Sequence, residues 1–440
     1  MTEEATRLLC TGDLHMGRRP SRLPDHVDGR RFATKRAWQV VVDTAVENDV
    51  HAVILTGDIV DRANRYYEAL GPLERGLRRL GDESVQVFAV AGNHDFDVFP
   101  ELVDSLGIEG FHLLGARGTW AREPLVVEGE DNPRLYLDGW SFAGQYESTS
   151  PLASYDLTEA DAPVVAVLHC QVGAGSEGRY APVESARLAR AGPDLWLLGH
   201  IHAPRFEQTE TGVPYLYPGS PQPLDPGETG SHGPWMIEVS PGGEIGAEHL
   251  ATATLRYEAL DVDLDGVEAP EDVRTALHER VREALREDLA NAEGVEHLVC
   301  RLRLQGRTPL HGDLADIVSG ARDELEIPVD GASATVDKIS VETRPDLDLE
   351  ALARTSSPPG ELARIVQALD EGEESDQMAD LLAEVRERVR KVDRSGTYAP
   401  VFDHDEDLVT VDRVDLSDLV RQQALLLIEA LERQKREGEE

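Results

Sequence analysis

Five apolar, β-branched-rich runs punctuate residues 7–202, and each ends in a polar cluster: RLLCTGDLH, HAVILTGDIVD, VQVFAVAGNHD, PVVAVLHC and DLWLLGHIH. Runs of this length bounded by turn residues predict buried strands. Between the first and second, helical spacing of apolar positions predicts a helix over about 32–47, and between the second and third another over about 66–80. Strand, helix, strand, helix, strand implies right-handed crossovers and a sheet buried on both faces. Polar residues just past the carboxyl ends of such strands collect on one rim, where open α/β sheets bind ligands.

From 113 to 141 the pattern shifts to short alternating runs around the turn EDNP, an antiparallel stretch, and strand-like segments return at VPYLYPGS and GPWMIEVS. A sandwich of two sheets with outer helices accounts for this region, ending near residue 250. Residues 254–345 then read strand (LRYEALDVDL), helix (270–291), strand (HLVCRLRLQG), helix (313–326), strand (ATVDKISVE), a small α/β module of its own. A linker is expected over 346–374, opening in RPDLDLEALARTSSPPGE, where proline and polar residues replace the periodic pattern. The remainder, 375–440, is helical. Met378, Leu381, Leu382, Val385 and Val389 form one stripe; Leu416, Leu419, Val420, Ala424, Leu427, Ile428 and Leu431 form another, widened by Leu425 and Leu426. Packing within the chain and docking of a partner both fit that excess. The intervening VFDHDEDLVTVD is acidic and reads as a loop. The fold class is α/β throughout, with a helical tail.

With 40% hydrophobic residues among 440, the chain is globular, and no apolar run approaches the roughly 18 residues that span a bilayer. The opening MTEEATRLLC has no secretory pattern, so a cytoplasmic protein with no membrane association is expected. Cys10, Cys170 and Cys300 are scattered and odd in number, which argues against disulfides or a thiolate site.

Charge changes the picture. The balance is 43 basic against 84 acidic residues, net −41, and only Lys35, Lys338, Lys391 and Lys435 are lysines. Such acidity is expected of a halophilic protein, since molar salt shortens the Debye length to about 3 Å and relieves self-repulsion. The excess is uneven: residues 1–80 carry 13 basic and 12 acidic side chains, leaving 30 and 72 for the rest. Arg18, Arg19, Arg22, Arg30, Arg31, Lys35 and Arg36 cluster directly behind the first polar motif, a place to which a polyanion would be drawn.

In order, the rim clusters hold Asp13 and His15; Asp58; Asn93 and His94; His169; His200 and His202. Carboxylate, imidazole and amide oxygen without thiolate suit manganese, iron or zinc. Seven ligands exceed what one ion takes while keeping an open position, so two ions sharing a carboxylate are the economical arrangement. The i, i+2 spacing of Asp13/His15 and His200/His202 puts each pair on one side of an extended segment. Glycines at 12, 57, 92 and 199 precede these clusters, as a backbone that turns sharply near an ion requires.

The segments GDLH, GDIVD, GNHD, LHC and GHIH resemble the metal signature of the calcineurin-like metallophosphoesterases over residues 7–202. The resemblance implies a double-sheet sandwich in which Asp13, His15, Asp58 and His202 hold one ion, and Asp58 bridges to a second completed by Asn93, His169 and His200. It gives His94 the role of general acid to the leaving oxygen, with Asp95 orienting it. Two divalent cations, with manganese the expected metal, would neutralise a phosphodiester and acidify the attacking water.

Within that family the chain is similar to the nuclease subunits of ATPase-coupled DNA-repair complexes, the SbcD-type exonucleases and especially their YhaO-like branch. GDLHMG with its basic loop, GDIVDRANRYYEALGPLERGLRRL, and GHIHAPR followed by YPGSPQPLDPGETGSHG carry the likeness; in the last, Tyr217, Gly219, Ser220, Glu228 and Gly230 match. The resemblance implies 3′ to 5′ exonuclease and single-strand endonuclease action on DNA. It also implies a capping domain over 254–345, an SMC-like ATPase held by the C-terminal helices, and a homodimer through the phosphoesterase domain. Substrate contacts are expected from Arg18, Arg19, Arg22, Arg62 and Arg65, because the capping module lies in the acidic part of the chain. One departure is Asp61, where some relatives carry a histidine. The alternative with the same site is a phosphoesterase for a nucleotide or other small ester, and a metal-retaining scaffold that recruits an ATPase is a third reading.

Overall fold

The computed structural model describes residues 5–61, 68–157, 160–173, 178–291, 294–319, 326–371, 376–393 and 415–437. Two compact units emerge: Met1–Ala259 with Val281–Arg301 and Leu325–Asp337, and Leu260–Arg280 with Leu302–Glu324 and Lys338–Glu440. The division passes through the long strands Leu255–Asp263, His297–Gln305 and Ala332–Val341.

In the first unit the apolar runs are strands, but they do not share one sheet. Thr6–Thr11, Ala52–Leu55, Gln86–Ala89 and Phe111–Leu113 run parallel side by side, with Trp235–Val239 antiparallel at the other flank of Thr6–Thr11 and Ile245–His249 beyond it. The fourth and fifth runs, Val164–His169 and Leu195–Gly199, are parallel neighbours in a second sheet. That sheet continues through Pro214–Tyr217 to Arg205–Gln208 on one side, and through Leu135–Trp140 to Trp120–Leu125 on the other. The expected sandwich of two facing sheets forms, and the fourth and fifth runs belong to its second sheet rather than to the sheet of the first three. Either sheet buries a strand on each face, so apolar runs alone do not separate them.

The period-2 alternation of strands builds three apolar layers. Leu8, Cys10, Ile54 and Phe88 point inward and meet Leu137, Val165, Val167, Leu195 and Leu197 of the opposite sheet. Leu9, Val53, Leu55 and Val87 point outward, under the helices Thr34–Glu47 and Leu70–Asp82. On the far side Ala166, Leu168, Trp196 and Leu198 pack with Leu188 of the helix Ser185–Ala191. Gly76 lets the two outer helices close together, because a Cβ there would lie 2.3 Å from the Trp38 ring nitrogen.

The small α/β module is present as the sheet Leu255–Asp263, His297–Gln305, Ala332–Val341 and Ile327–Val329 with the helix Pro270–Asn291. The expected linker is not structureless: it holds the helices Leu349–Ala353 and Pro358–Glu371. Its two prolines sit in the first helical turn, where their missing N–H costs nothing. Ala363 and Val366 then bury against Ala424, Leu425 and Ile428 of the helix Leu416–Glu437. Packing buries Leu425 along with Leu416 and leaves Leu426 and Leu427 exposed, which corrects the expected stripe at Leu427. In the helix Asp376–Asp393, Met378 is buried. The expected acidic loop lies outside the described residues. Among those described, no helix is long and apolar enough to cross a membrane.

Candidate metal centre

All seven expected ligands converge where the strands of both sheets end. Asp13 and His15 follow Thr6–Thr11, Asp58 follows Ala52–Leu55, and Asn93 follows Gln86–Ala89. His169 is the last residue of its strand, and His200 follows Leu195–Gly199. Asp13, His15, Asp58 and His200 all hold positive φ, at 46°, 43°, 52° and 93°. A left-handed backbone at four non-glycine residues of the expected ligand set is strain stored where the packing around it over-determines the conformation.

The glycines before the ligands act less by freeing the backbone than by leaving room. Only Gly57 among the four has positive φ, 99°. A Cβ on Gly12 would lie 1.9 Å from Thr56 Oγ1, one on Gly199 2.1 Å from the Thr56 carbonyl oxygen, and one on Gly92 2.2 Å from Asp58 Oδ1. The ligand loops are stacked backbone on backbone.

Two donor sets result. Donor atoms of Asp13, His15 and His202 lie within 4.8 Å of one another, and so do those of Asp13, Asp58 and His169. His15 Nε2 is 3.2 Å from His202 Nε2, and His202 Nε2 is 3.8 Å from Asp13 Oδ1. His169 Nε2 is 3.4 Å from Asp58 Oδ2 and 3.1 Å from Asn93 Oδ1. The His200 N–H donates to both Asp13 oxygens at 3.1 Å, while its ring stands 5.4 Å from that of His169.

Hydrogen bonding on the outer side of the rings tests whether cations fit. His169 Nδ1 meets the Thr56 carbonyl oxygen at 3.0 Å, and His202 Nδ1 meets Glu228 Oε1 at 2.8 Å. Both partners only accept, so both Nδ1 atoms carry a proton and each Nε2 is the ring atom turned inward. Inside, the two Nε2 atoms face carboxylate and amide oxygens. A bound cation satisfies that oxygen and nitrogen set, as a second ring proton does without one.

The electrostatics agree. Burial raises the Asp58 carboxyl, but His169, by its charge and its hydrogen bond, outweighs it and holds the group well below the usual carboxylate range. Burial lowers His169, yet Asp58 and Asp13 bring it up to about 9; burial lowers His202, yet Glu228 and Asp13 bring it to about 9 as well. His15 and His200, governed by burial, fall to about 3. The carboxylates demand positive charge between them, from protons or from divalent cations.

His94 flanks this centre: its N–H donates to Asp58 Oδ1 at 2.8 Å, and its ring stands edge-on 5.0 Å from that of His15. The Asp95 carboxylate accepts N–H groups from Ile59, Val60 and Gly92, so it clamps two of these loops together, and among the described residues it shows no hydrogen bond to the His94 ring. A carboxylate does stand by that ring, from Asp61, which groups with His15 and His94 within 4.8 Å.

The arginines are less available than their sequence suggests. Arg18 is ion-paired to Asp225 at 2.9 Å, Arg19 lies 3.9 Å from Glu68, and Arg31 and Arg36 share Glu296. Arg22 is exposed with no ion-pair partner among the described residues. Arg62 and Arg65 lie outside the described residues. Two residues of the site carried no expected role: Glu228, which meets His202 from 26 positions away, and Thr56, whose carbonyl holds His169.

Residues 6–204 match the family model for calcineurin-like phosphoesterases, and residues 257–344 match that for the middle domain of the metallophosphoesterase YhaO. The chain is 29% identical over 293 residues to the uncharacterized metallophosphoesterase YhaO of Bacillus subtilis, covering 66% of this chain and 68% of the relative. It is 28% identical over 347 residues to the DNA double-strand break repair protein Mre11 of Haloferax volcanii, covering 75% and 70%. With the protein of the same name from Aeropyrum pernix it shares 26% over 306 residues, covering 65% and 68%. Residues 6–204 therefore form a calcineurin-like metallophosphoesterase domain, the mark of metal-dependent phosphoester hydrolases, followed by a YhaO-like middle domain, and the relatives support the likeness to the SbcD- and Mre11-type proteins.

Proposed function

We propose that this protein is a DNA nuclease: a phosphodiester hydrolase using two divalent cations, preferably manganese, in double-strand-break repair with an SMC-like ATPase. The observation that carries the hydrolase part is the pair of adjoining donor sets, with Asp58 Oδ2 3.8 Å from His15 Nε2 and 3.4 Å from His169 Nε2 and His94 beside them. When bound, two cations there supply charge neutralisation and an acidified water. Asp13, His15, Asp58 and His202 would hold one, and Asp58, Asn93, His169 and His200 the other. His94 then holds the proton that the leaving oxygen takes.

The DNA part is supported by the relatives whose names state DNA break repair, and by a chain that extends well beyond the phosphoesterase match. Exposed Leu426 and Leu427 on the last helix fit a partner helix or groove, and in this reading the ATPase docks there. A homodimer through the phosphoesterase domain and function in concentrated salt belong to the same reading.

The pairing of Arg18, Arg31 and Arg36 with acidic side chains favours a second reading, a hydrolase of small phosphate esters. The test is hydrolysis of an end-labelled DNA duplex with Mn2+ at low and molar KCl, beside bis-p-nitrophenyl phosphate. Cleavage of DNA that disappears in His94→Ala supports the nuclease. Cleavage of the small diester alone, with the ATPase partner present, overturns it.

A further inference from the structure

We infer that Glu228 is a positioning residue for the metal centre, and that the segment 217–232 is a strap that aims the ligand His202 at its ion. The inference rests on the two-cation reading above and not on the identity of the substrate.

The strap grips His202 at both ends. Ser220 N–H donates to the His202 carbonyl at 3.1 Å, while Glu228 Oε1 meets the ring Nδ1 at 2.8 Å. The approach is close because residue 219 has no side chain: a Cβ on Gly219 would lie 2.5 Å from the His202 carbonyl oxygen, and its φ is +73°. Glu228 is itself held. Its other oxygen accepts the Ser220 hydroxyl and the Leu224 N–H, both at 2.9 Å. Behind Ser220 the fully buried His232 places Nδ1 2.8 Å from the Ser220 carbonyl oxygen.

Chemically, a carboxylate on Nδ1 does two things that the Thr56 carbonyl on His169 does only in part. It fixes the tautomer, so that Nε2 faces Asp13 and His15 as a lone pair, and its full negative charge makes that lone pair a stronger donor. The two histidine ligands are therefore unequal by construction. Glu228 acts on the ion held by Asp13, His15 and His202, and leaves the Asp58, Asn93 and His169 side untouched.

The experiment is Mn2+ titration of the full chain by calorimetry without substrate, comparing wild type, Glu228→Gln and Ser220→Ala, with unfolding temperatures of the metal-free proteins alongside. Glu228→Gln keeps the shape and removes the charge, so one of two Mn2+ steps is expected to weaken about 10- to 100-fold while the other holds. Ser220→Ala should weaken the same step less, and it reports alone if Glu228→Gln does not fold. Unchanged Mn2+ affinity in the folded variants would overturn the inference, as would equal weakening of both steps with a lowered unfolding temperature, which marks a merely structural role. A wild type that binds no Mn2+ would instead sink the two-cation reading and take this inference with it.

Discussion

Asp95 accepts the backbone N–H of Ile59 at 2.6 Å, so that a carboxylate from one ligand loop fixes the backbone of another, one residue past Asp58. The same side chain takes N–H groups from Val60 at 3.2 Å and Gly92 at 2.8 Å, and it is fully buried. Asp95→Asn would turn an amide N–H2 toward one of these donors. We expect the metal-free protein to lose about 1–3 kcal/mol of stability, read by urea unfolding, because the amide leaves a buried backbone N–H without an acceptor. Mn2+ affinity should fall with it, since both loops carry ligands. A variant of unchanged stability and Mn2+ affinity that loses only turnover would return Asp95 to the role of orienting His94.

Glycine in this site works through space, and Gly92 against Gly107 separates space from backbone freedom. A Cβ at Gly92 would stand 2.2 Å from Asp58 Oδ1, whereas Gly107 has φ +55° and nothing within 4 Å. Gly107→Ala is expected to cost about 1–2 kcal/mol for the left-handed backbone and to leave turnover alone. Gly92→Ala must push Asp58 aside, and a displacement near 1 Å at a reacting centre costs about 100-fold in rate. Paired assays of unfolding and of bis-p-nitrophenyl phosphate hydrolysis distinguish the two.

What the sequence made legible follows from what is local. The ligands were readable because each sits one to four residues past an apolar run, and the order of motifs carries the family resemblance. The assignment of runs to two sheets was not readable from Val164–His169 and Leu195–Gly199 alone, since a strand buried between sheets and one buried between helices have the same composition. Glu228 as the partner of His202, and Asp225 as the partner of Arg18, depend on how the strap folds back. Pattern within a window does not contain that. The helix Pro358–Glu371 was hidden by its own start: the prolines that suggested a linker are a favoured way to open a helix.

The place of His94 beside the two donor sets, its N–H on Asp58, leads to a prediction about leaving groups under the nuclease proposal. A general acid matters in proportion to the basicity of the oxygen it protonates. The 3′ oxygen of DNA is a poor leaving group and nitrophenolate a good one. His94→Ala should therefore slow DNA cleavage by about 100- to 10,000-fold and hydrolysis of bis-p-nitrophenyl phosphate far less, with Mn2+ stoichiometry unchanged. Equal losses on both substrates would assign His94 to binding or metal retention instead.

Under the nuclease proposal, pairing sets what each arginine behind the first motif would contribute to DNA binding. Arg22 is exposed with no ion-pair partner among the described residues, whereas Arg31 and Arg36 converge on the single carboxylate of Glu296. Each phosphate neutralised adds about 0.9 to the slope of log affinity against log salt. Arg22→Ala should thus lower that slope by about one and weaken binding alike on all sequences. Arg31→Ala should lower it by less, because its charge is already offset by Glu296 and Arg36 remains to satisfy that carboxylate. Fluorescence anisotropy of a labelled duplex across a KCl series, with Ca2+ in place of Mn2+ to prevent cleavage, measures both slopes. Equal changes would mean that DNA breaks the Glu296 pairs on binding, and a wild-type slope near zero would leave the phosphate contacts to the ATPase partner.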